Sequence, residues 1–209
     1  HRFKAAVPVY GCGFLFEGES VQKPAIDALE PERRAEWIRR YDPSSHLSQC
    51  RVPILFVNGT NDKHYPLNSY SRCFALVPGE KQIRIEVRMR HGHPPGWAPQ
   101  EIGIFIDHHL QKTKPLPRLG KPASDDDHVF ATCDVTVPLQ KAELHFTTDA
   151  GPLVERKWQT RAAAVADGKI TADRPPASTT IWYLSATDQR GAMVSTDVVF
   201  SKEITPEKQ

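Results

Sequence analysis

The sequence predicts a composite of two classes, a partial parallel α/β sheet followed by an all-β sandwich. Three observations carry this reading. Strand-like and helix-like runs alternate up to about residue 112, and residues 112–122 then hold three prolines and four Lys/Arg. Beyond them, short β-branched and aromatic runs recur at intervals of about 12 residues, as in a small antiparallel sandwich. The implied organisation is an α/β part over 1–112, a Pro-rich linker over 113–127 and a sandwich over 128–209.

Lys4 to Tyr10 reads as a short buried strand, closed by the loop Gly11-Cys12-Gly13, and the stretch from there to Pro31 is charged and irregular. Pro31 to Tyr41 is predicted helical: Pro31 suits the first helical position, Glu32 the positive end, and Trp37 and Ile38 are candidates to face a core. Asp42-Pro43-Ser44-Ser45 stops that helix. Arg51 to Gly59 contains a continuous apolar run of the kind found in parallel strands covered on both faces. A helix over Pro66–Val77, a strand over Ile83–Met89 and a helix over Ala98–Gln111, with Pro99 inside its start, complete the alternation. After the linker, strands are predicted over His128–Asp134, Lys141–Thr148, Val154–Thr160, Lys169–Asp173, Thr179–Thr187 and Met193–Ser201, separated by turn signals such as Asp167-Gly168 and Arg190-Gly191.

Composition narrows the function classes. Lys+Arg number 27 against 25 Asp+Glu, so no long-range field draws nucleic acid or an anionic membrane to this surface. No apolar run reaches the roughly 18 residues of a membrane span, and His1-Arg2-Phe3-Lys4 lacks the apolar stretch of a secretory signal. Cys12, Cys50, Cys73 and Cys133 form no C-x-x-C pair, which argues against zinc or dithiol chemistry and for buried or free thiols.

The chemistry concentrates in two segments that each follow a predicted parallel strand: Asn58-Gly59-Thr60-Asn61-Asp62 and Arg90-His91-Gly92-His93. Loops at the carboxyl ends of parallel strands face one crevice. A carboxylate and an imidazole placed there supply the orienting and proton-transferring parts of a nucleophilic hydrolase. His91 and His93 both qualify as the base, with His91 preferred. Asp62 also suits an ordinary Asx turn. Asn58, Asn61 and Lys63 read as turn or surface residues, and His64-Tyr65 as a packed aromatic loop. His108 and His109 point about 100° apart on a helix and do not suit one metal ion. Trp97 is either packing for the histidine loop or a substrate platform. Trp158, Trp182 and Tyr183 read first as sandwich core and second as a carbohydrate-binding face.

On these motifs residues 1–112 resemble the C-terminal half of an α/β-hydrolase, closest in flavour to the acetylxylan-esterase-like and prolyl-oligopeptidase-like group. The stretch from Asp42-Pro43-Ser44 through Val52-Pro53-Ile54-Leu55-Phe56-Val57 to Asp62 resembles the strand and loop that carry the catalytic acid. Met89-Arg90-His91-Gly92-His93-Pro94-Pro95-Gly96-Trp97 resembles the loop that carries the catalytic histidine, and Phe3 to Tyr10 the strand after the nucleophile helix. The second part resembles an immunoglobulin- or fibronectin-like domain. The superfamily order is Ser, Asp, His. Here Gly-x-Ser-x-Gly is missing; the nearest approach, Gly18-Glu19-Ser20-Val21-Gln22, lacks the second glycine.

The resemblance therefore implies a fragment, a processed product or one piece of a split serine hydrolase, carrying Asp62, His91 and His93 but not the nucleophile. No triad hydrolysis is expected of the chain alone. The implied substrate is a small-molecule or polysaccharide carboxylic ester, acetyl esters first and peptide bonds second, with no metal or organic cofactor. The implied partners are a missing N-terminal half or a second copy of the chain, not nucleic acid or membrane. Secretion or a periplasmic location follows from the resembling group. The alternative class is a non-enzymatic module binding a polysaccharide or a protein.

Overall fold

The computed structural model describes residues 2–201; His1 and residues 202–209, where the expected sandwich ends, lie outside the described residues. The order of elements is α1 (Lys23–Asp27), α2 (Pro31–Tyr41), β1 (Ile54–Gly59), α3 (Leu67–Leu76), β2 (Lys81–Glu86), α4 (His93–Trp97) and α5 (Glu101–Gln111). There follow β3 (Arg118–Leu119), β4 (Ala123–Ser124), β5 (His128–Asp134), β6 (Leu139–Thr147), β7 (Gln159–Ala166), β8 (Lys169–Asp173), β9 (Ile181–Asp188), β10 (Met193–Ser195) and β11 (Val199–Phe200). The described residues are thus mostly β with few helices, and no helix among them is long and apolar enough to cross a membrane. The chain divides into two compact units. One takes the described residues up to Lys81 with Glu86–Ala98 and Pro152–Glu155; the other takes Gln82–Ile85, Pro99–Gly151 and the described residues from Arg156 onward.

The α/β-hydrolase half of the expected fold finds no support: in the first unit the Lys4–Tyr10 stretch and β1 share only a short parallel pairing where a wound sheet was expected. β1 has all six residues buried, as its unbroken apolar run requires, but the Lys4–Tyr10 stretch meets it only through two single-residue parallel bridges, Ala6↔Ile54 and Val9↔Val57. The physical reason is Pro8. Its carbonyl accepts from Val57 N–H at 3.1 Å, but it has no N–H to return, so the ladder between Ala6 and Tyr10 lacks its middle donor. Tyr70 of α3 compensates: its hydroxyl lies 2.8 Å from Pro8 O and 2.9 Å from Val57 O. Burial holds that phenol well above its usual pKa, so it remains a donor.

Local chemistry moved several boundaries. The strand expected to reach Met89 stops at Glu86, because Arg88 adopts φ 57 and leaves the extended region. The helix expected from Ala98 begins at Glu101, and a separate helix, α4, precedes it with Pro94 and Pro95 in its first turn. Pro99 separates the two, since it has no N–H to carry a helix through. α2 occupies Pro31–Tyr41 as predicted, with Trp37 and Ile38 half-buried. The charged stretch before it contains α1, held by buried Ile26. Its N-terminal side is ordered by the fully buried Asp42 carboxylate, which accepts from Phe14 N and Ser44 N at 2.9 Å and from Leu15 N at 3.2 Å. All four cysteines are free thiols; Cys12, Cys73 and Cys133 are buried. A hydrogen bond with the neighbouring Cys73 sulfur that favours the protonated Cys12 thiol, and then burial, push the Cys12 pKa far up.

The second unit is antiparallel and sandwich-like. Strand neighbours run β2-β10-β9-β6-β7-β8-β5-β3, with β11 also on β9 and β4 on β5. β7 links the layers: Gln159 to Ala163 pair with β6 and Ala164 to Ala166 with β8. Alternate residues of β5 (Val129, Ala131, Cys133), β6 (Ala142, Leu144, Phe146), β8 (Ile170, Ala172) and β9 (Trp182, Leu184) converge on one apolar core. The expected linker is partly structured, for β3 and β4 both pair with β5. The strand expected over Val154–Thr160 is replaced by a 3-10 turn, Leu153–Glu155, and pairing resumes at Gln159. Trp182 and Tyr183 are buried, and the half-buried Trp158 ring packs 5.6 Å from Tyr183, so these aromatics serve the interior.

One interior histidine makes this unit acid-sensitive. His145 of β6 lies opposite Thr160 and Tyr183, with Nδ1 2.9 Å from Thr160 Oγ1 and Nε2 2.8 Å from Ser185 Oγ. Burial lowers its pKa from 6.5 to about 4, with Glu143 opposing the shift and Lys141 adding to it. Between those values the unfolded chain binds a proton that the folded one refuses. Stability is therefore full above pH 6.5 and falls by roughly 3 kcal/mol as the pH drops toward 4. Thermal unfolding followed across this window should show the wild type losing Tm more steeply than His145→Gln; equal slopes would contradict the assignment.

Candidate active site

The site belongs wholly to the first unit and is built from the turn after β1 and the loop after β2. Gly59 ends β1 where a Cβ would stand 2.7 Å from Met89 O, so only glycine lets the two segments approach this closely. Thr60 then joins them. Its N–H donates to Glu86 O at 3.0 Å, its Oγ1 accepts from Arg88 N at 2.9 Å, and its hydroxyl donates to Asn61 Oδ1 at 2.6 Å.

Asp62 follows, its side chain fully buried. The turn role and the imidazole-partner role foreseen for it coexist, because they use different oxygens. Oδ1 accepts from His64 N at 2.8 Å and Tyr65 N at 3.0 Å; Oδ2 lies 2.6 Å from His91 Nδ1. An ionised carboxylate only accepts, so with such a partner Nδ1 is the donor, and the neutral ring then has its lone pair on Nε2. The His91 side chain is 35% accessible. An imidazole so held can take a proton at Nε2 from a hydroxyl and return it, its positive charge opposed by Asp62.

His91 and His93 separate sharply. His91 meets Asp62 and stacks among rings, with Tyr10 at 4.4 Å, His64 at 4.6 Å and Tyr65 at 6.0 Å between centroids. His93 opens α4 instead, its ring 5.1 Å from that of Trp97, which is 74% exposed. Gly92 between the histidines has φ 153 and ψ 166, a region essentially confined to glycine, and so permits the divergence.

Asn58 and Asn61, expected as turn or surface residues, brace the turn, and Asn58 does so from the interior. Asn58 is completely buried and donates to Tyr65 O at 2.9 Å while accepting from Gly59 N at 2.7 Å. Asn61 Nδ2 reaches Leu153 O at 3.2 Å and Val154 O at 3.0 Å, and Glu19 Oε2 accepts from Leu153 N at 2.6 Å. Ser20 is buried and donates to His64 O at 2.8 Å, so it braces the Asp62 loop. The sequence places Thr60 in the turn after β1, Tyr10 at a strand end and Ser20 in the nearest approach to a nucleophile motif, but nothing in it announces the bracing contacts that they make. Among the described residues no group of three or more His, Cys, Asp or Glu is gathered for a metal ion.

Fold remnant and site together define a protein with a buried carboxylate orienting a partly exposed imidazole at the end of a parallel strand. The chain belongs to the PhoPQ-activated pathogenicity-related protein family, whose sequence model matches residues 2–148. No curated protein matches it. Among solved structures it is similar to a bromine derivative of BhCBM56, at 13% identity over 42% of this chain and 91% of that one, with a TM-score of 0.27. It is also similar to OgpA from Akkermansia muciniphila, at 10% identity over 92% of this chain and 72% of that one, with a TM-score of 0.28. Superpositions this loose carry no argument about fold or function.

The geometry fixes the His91 tautomer in a measurable way. Nitrogen-15 NMR of the protein should show His91 with its proton on Nδ1, and Asp62→Asn should move population to the Nε2–H form while His93 signals stay unchanged. Unaltered His91 shifts in that variant would mean that the carboxylate does not hold the ring.

Proposed function

We propose that Asp62 and His91 are the acid and base of a serine hydrolase of α/β-hydrolase type acting on carboxylic esters. The observation that carries this reading is the contact of 2.6 Å between His91 Nδ1 and the Asp62 carboxylate, made by residues that follow β1 and β2 in the chain order Asp, then His. In this reading a serine hydroxyl attacks the ester carbonyl as His91 Nε2 takes its proton. His91 then protonates the departing alkoxide, and the same nitrogen activates water to release the acyl group. Asp62 keeps the proton on Nδ1 and stabilises the transient imidazolium. This chemistry requires no metal or organic cofactor.

The chain contains no Gly-x-Ser-x-Gly, and Ser20, the nearest approach, is buried and committed to His64 O. The nucleophile and oxyanion donors accordingly come from polypeptide other than residues 1–209. The exposed Trp97, at the end of the short helix that follows His91, is the residue offered to substrate in this reading, whereas His93 has no part in proton transfer. The immunoglobulin-like assignment of the second unit belongs to the same proposal.

Hydrolysis of a chromogenic acetate ester by the complete gene product, purified from its native cell, tests the reading. Asp62→Ala and His91→Ala should each lower kcat about a thousandfold or more, whereas His93→Ala should leave most of the rate. Ester turnover that survives loss of both Asp62 and His91 would refute the assignment.

A further inference from the structure

Tyr10 stands where the remnant ladder ends. Its N–H donates to Val57 O at 2.8 Å, and its backbone then takes φ 63, a conformation that bulky L residues rarely adopt. Such an outlier persists only where its surroundings over-determine it. Here they do. The side chain leaves the strand alternation and runs to the histidine loop, where its hydroxyl lies 2.8 Å from Arg90 O and 3.2 Å from Gly92 O. Those two carbonyls flank His91 on either side. The hydroxyl donates to Arg90 O and shares that proton with Gly92 O, while the ring lies against the imidazole at 4.4 Å between centroids.

α4 also packs closely on the ring. A Cβ on Gly96 would stand 2.8 Å from Tyr10 Cε2 and 3.2 Å from Val9 Cγ1, so glycine is what lets the helix close on the tyrosine. Tyr10 itself is buried.

From these contacts we infer that Tyr10 is a positioning residue for His91, fixing both the backbone around the imidazole and the plane of its ring. Asp62 alone fixes one nitrogen, and a ring held at one nitrogen still swings about that bond. The hydroxyl restrains the backbone and the phenol face restrains the tilt, which together aim Nε2. The inference rests on the reading of His91 as a base for its catalytic consequence, but not for its structural one.

The test uses Tyr10→Phe, which keeps the ring and removes only the hydroxyl, and Gly96→Ala, which pushes the ring by direct contact. In both, nitrogen-15 NMR should show His91 as a mixture of tautomers with faster exchange of the Nδ1 proton. In the complete gene product kcat should fall about tenfold to a hundredfold with little change in KM. Folded variants that keep wild-type His91 signals would overturn the role of Tyr10, even if their Tm fell. Asp62→Asn separates the two ideas: if it shifts His91 and the tyrosine variants do not, only the Tyr10 inference fails. If none of the three shifts His91, the acid–base reading fails as well.

Discussion

A buried carboxylate must use its oxygens fully, and Asp62 does so on three donors from two loops. His64 N and Tyr65 N take one oxygen and His91 Nδ1 the other. Leaving any of them unpaired would cost more than an ordinary hydrogen bond, because the side chain has no water to fall back on. The arrangement around it follows from that constraint. Thr60 ties the turn after β1 to the chain after β2, Asn58 secures the far end of the turn at Tyr65 O, and Ser20 holds His64 O. Gly59 and Gly92 supply the close approach and the unusual backbone that the other residues cannot.

The chain holds two histidines in opposite electrostatic settings. His91 faces a carboxylate and stays partly open to solvent, which suits a group that gains and loses a proton. His145 sits between two hydroxyls inside a β layer, where burial disfavours the charged form and the ring serves packing and strand register. Only the first has the partner that proton transfer needs.

That Asp62 and His91 would meet was legible because each follows a strand announced by composition: the apolar run at 52–57 and the alternation at 83–87. The choice between His91 and His93 was less so. Two histidines around a glycine look alike in one dimension, and it is the φ of Gly92 that sends one inward and the other onto Trp97. Tyr10 was illegible as a clamp, since nothing local reveals a positive φ on an aromatic residue. Pro8 lies within a run whose composition suits a strand, although its missing N–H breaks the ladder. Val154 to Thr160 alternates like a strand, but Arg156 is buried with Nε donating to Gly151 O at 2.8 Å, and the turn it closes moves the pairing on to Gln159. The alanine-rich Arg161–Ala166 stretch has helical propensity, which its pairing with β6 and β8 overrides.

The central claim is that the Asp62–His91 pair activates a serine supplied from outside residues 1–209. An active-serine phosphonate probe applied to the complete gene product, followed by mapping of the labelled peptide, tests it most directly. The account predicts a single labelled serine within a Gly-x-Ser-x-Gly turn outside this stretch, with labelling lost when His91 is replaced. A label on a serine within residues 1–209, or one indifferent to His91, would contradict it.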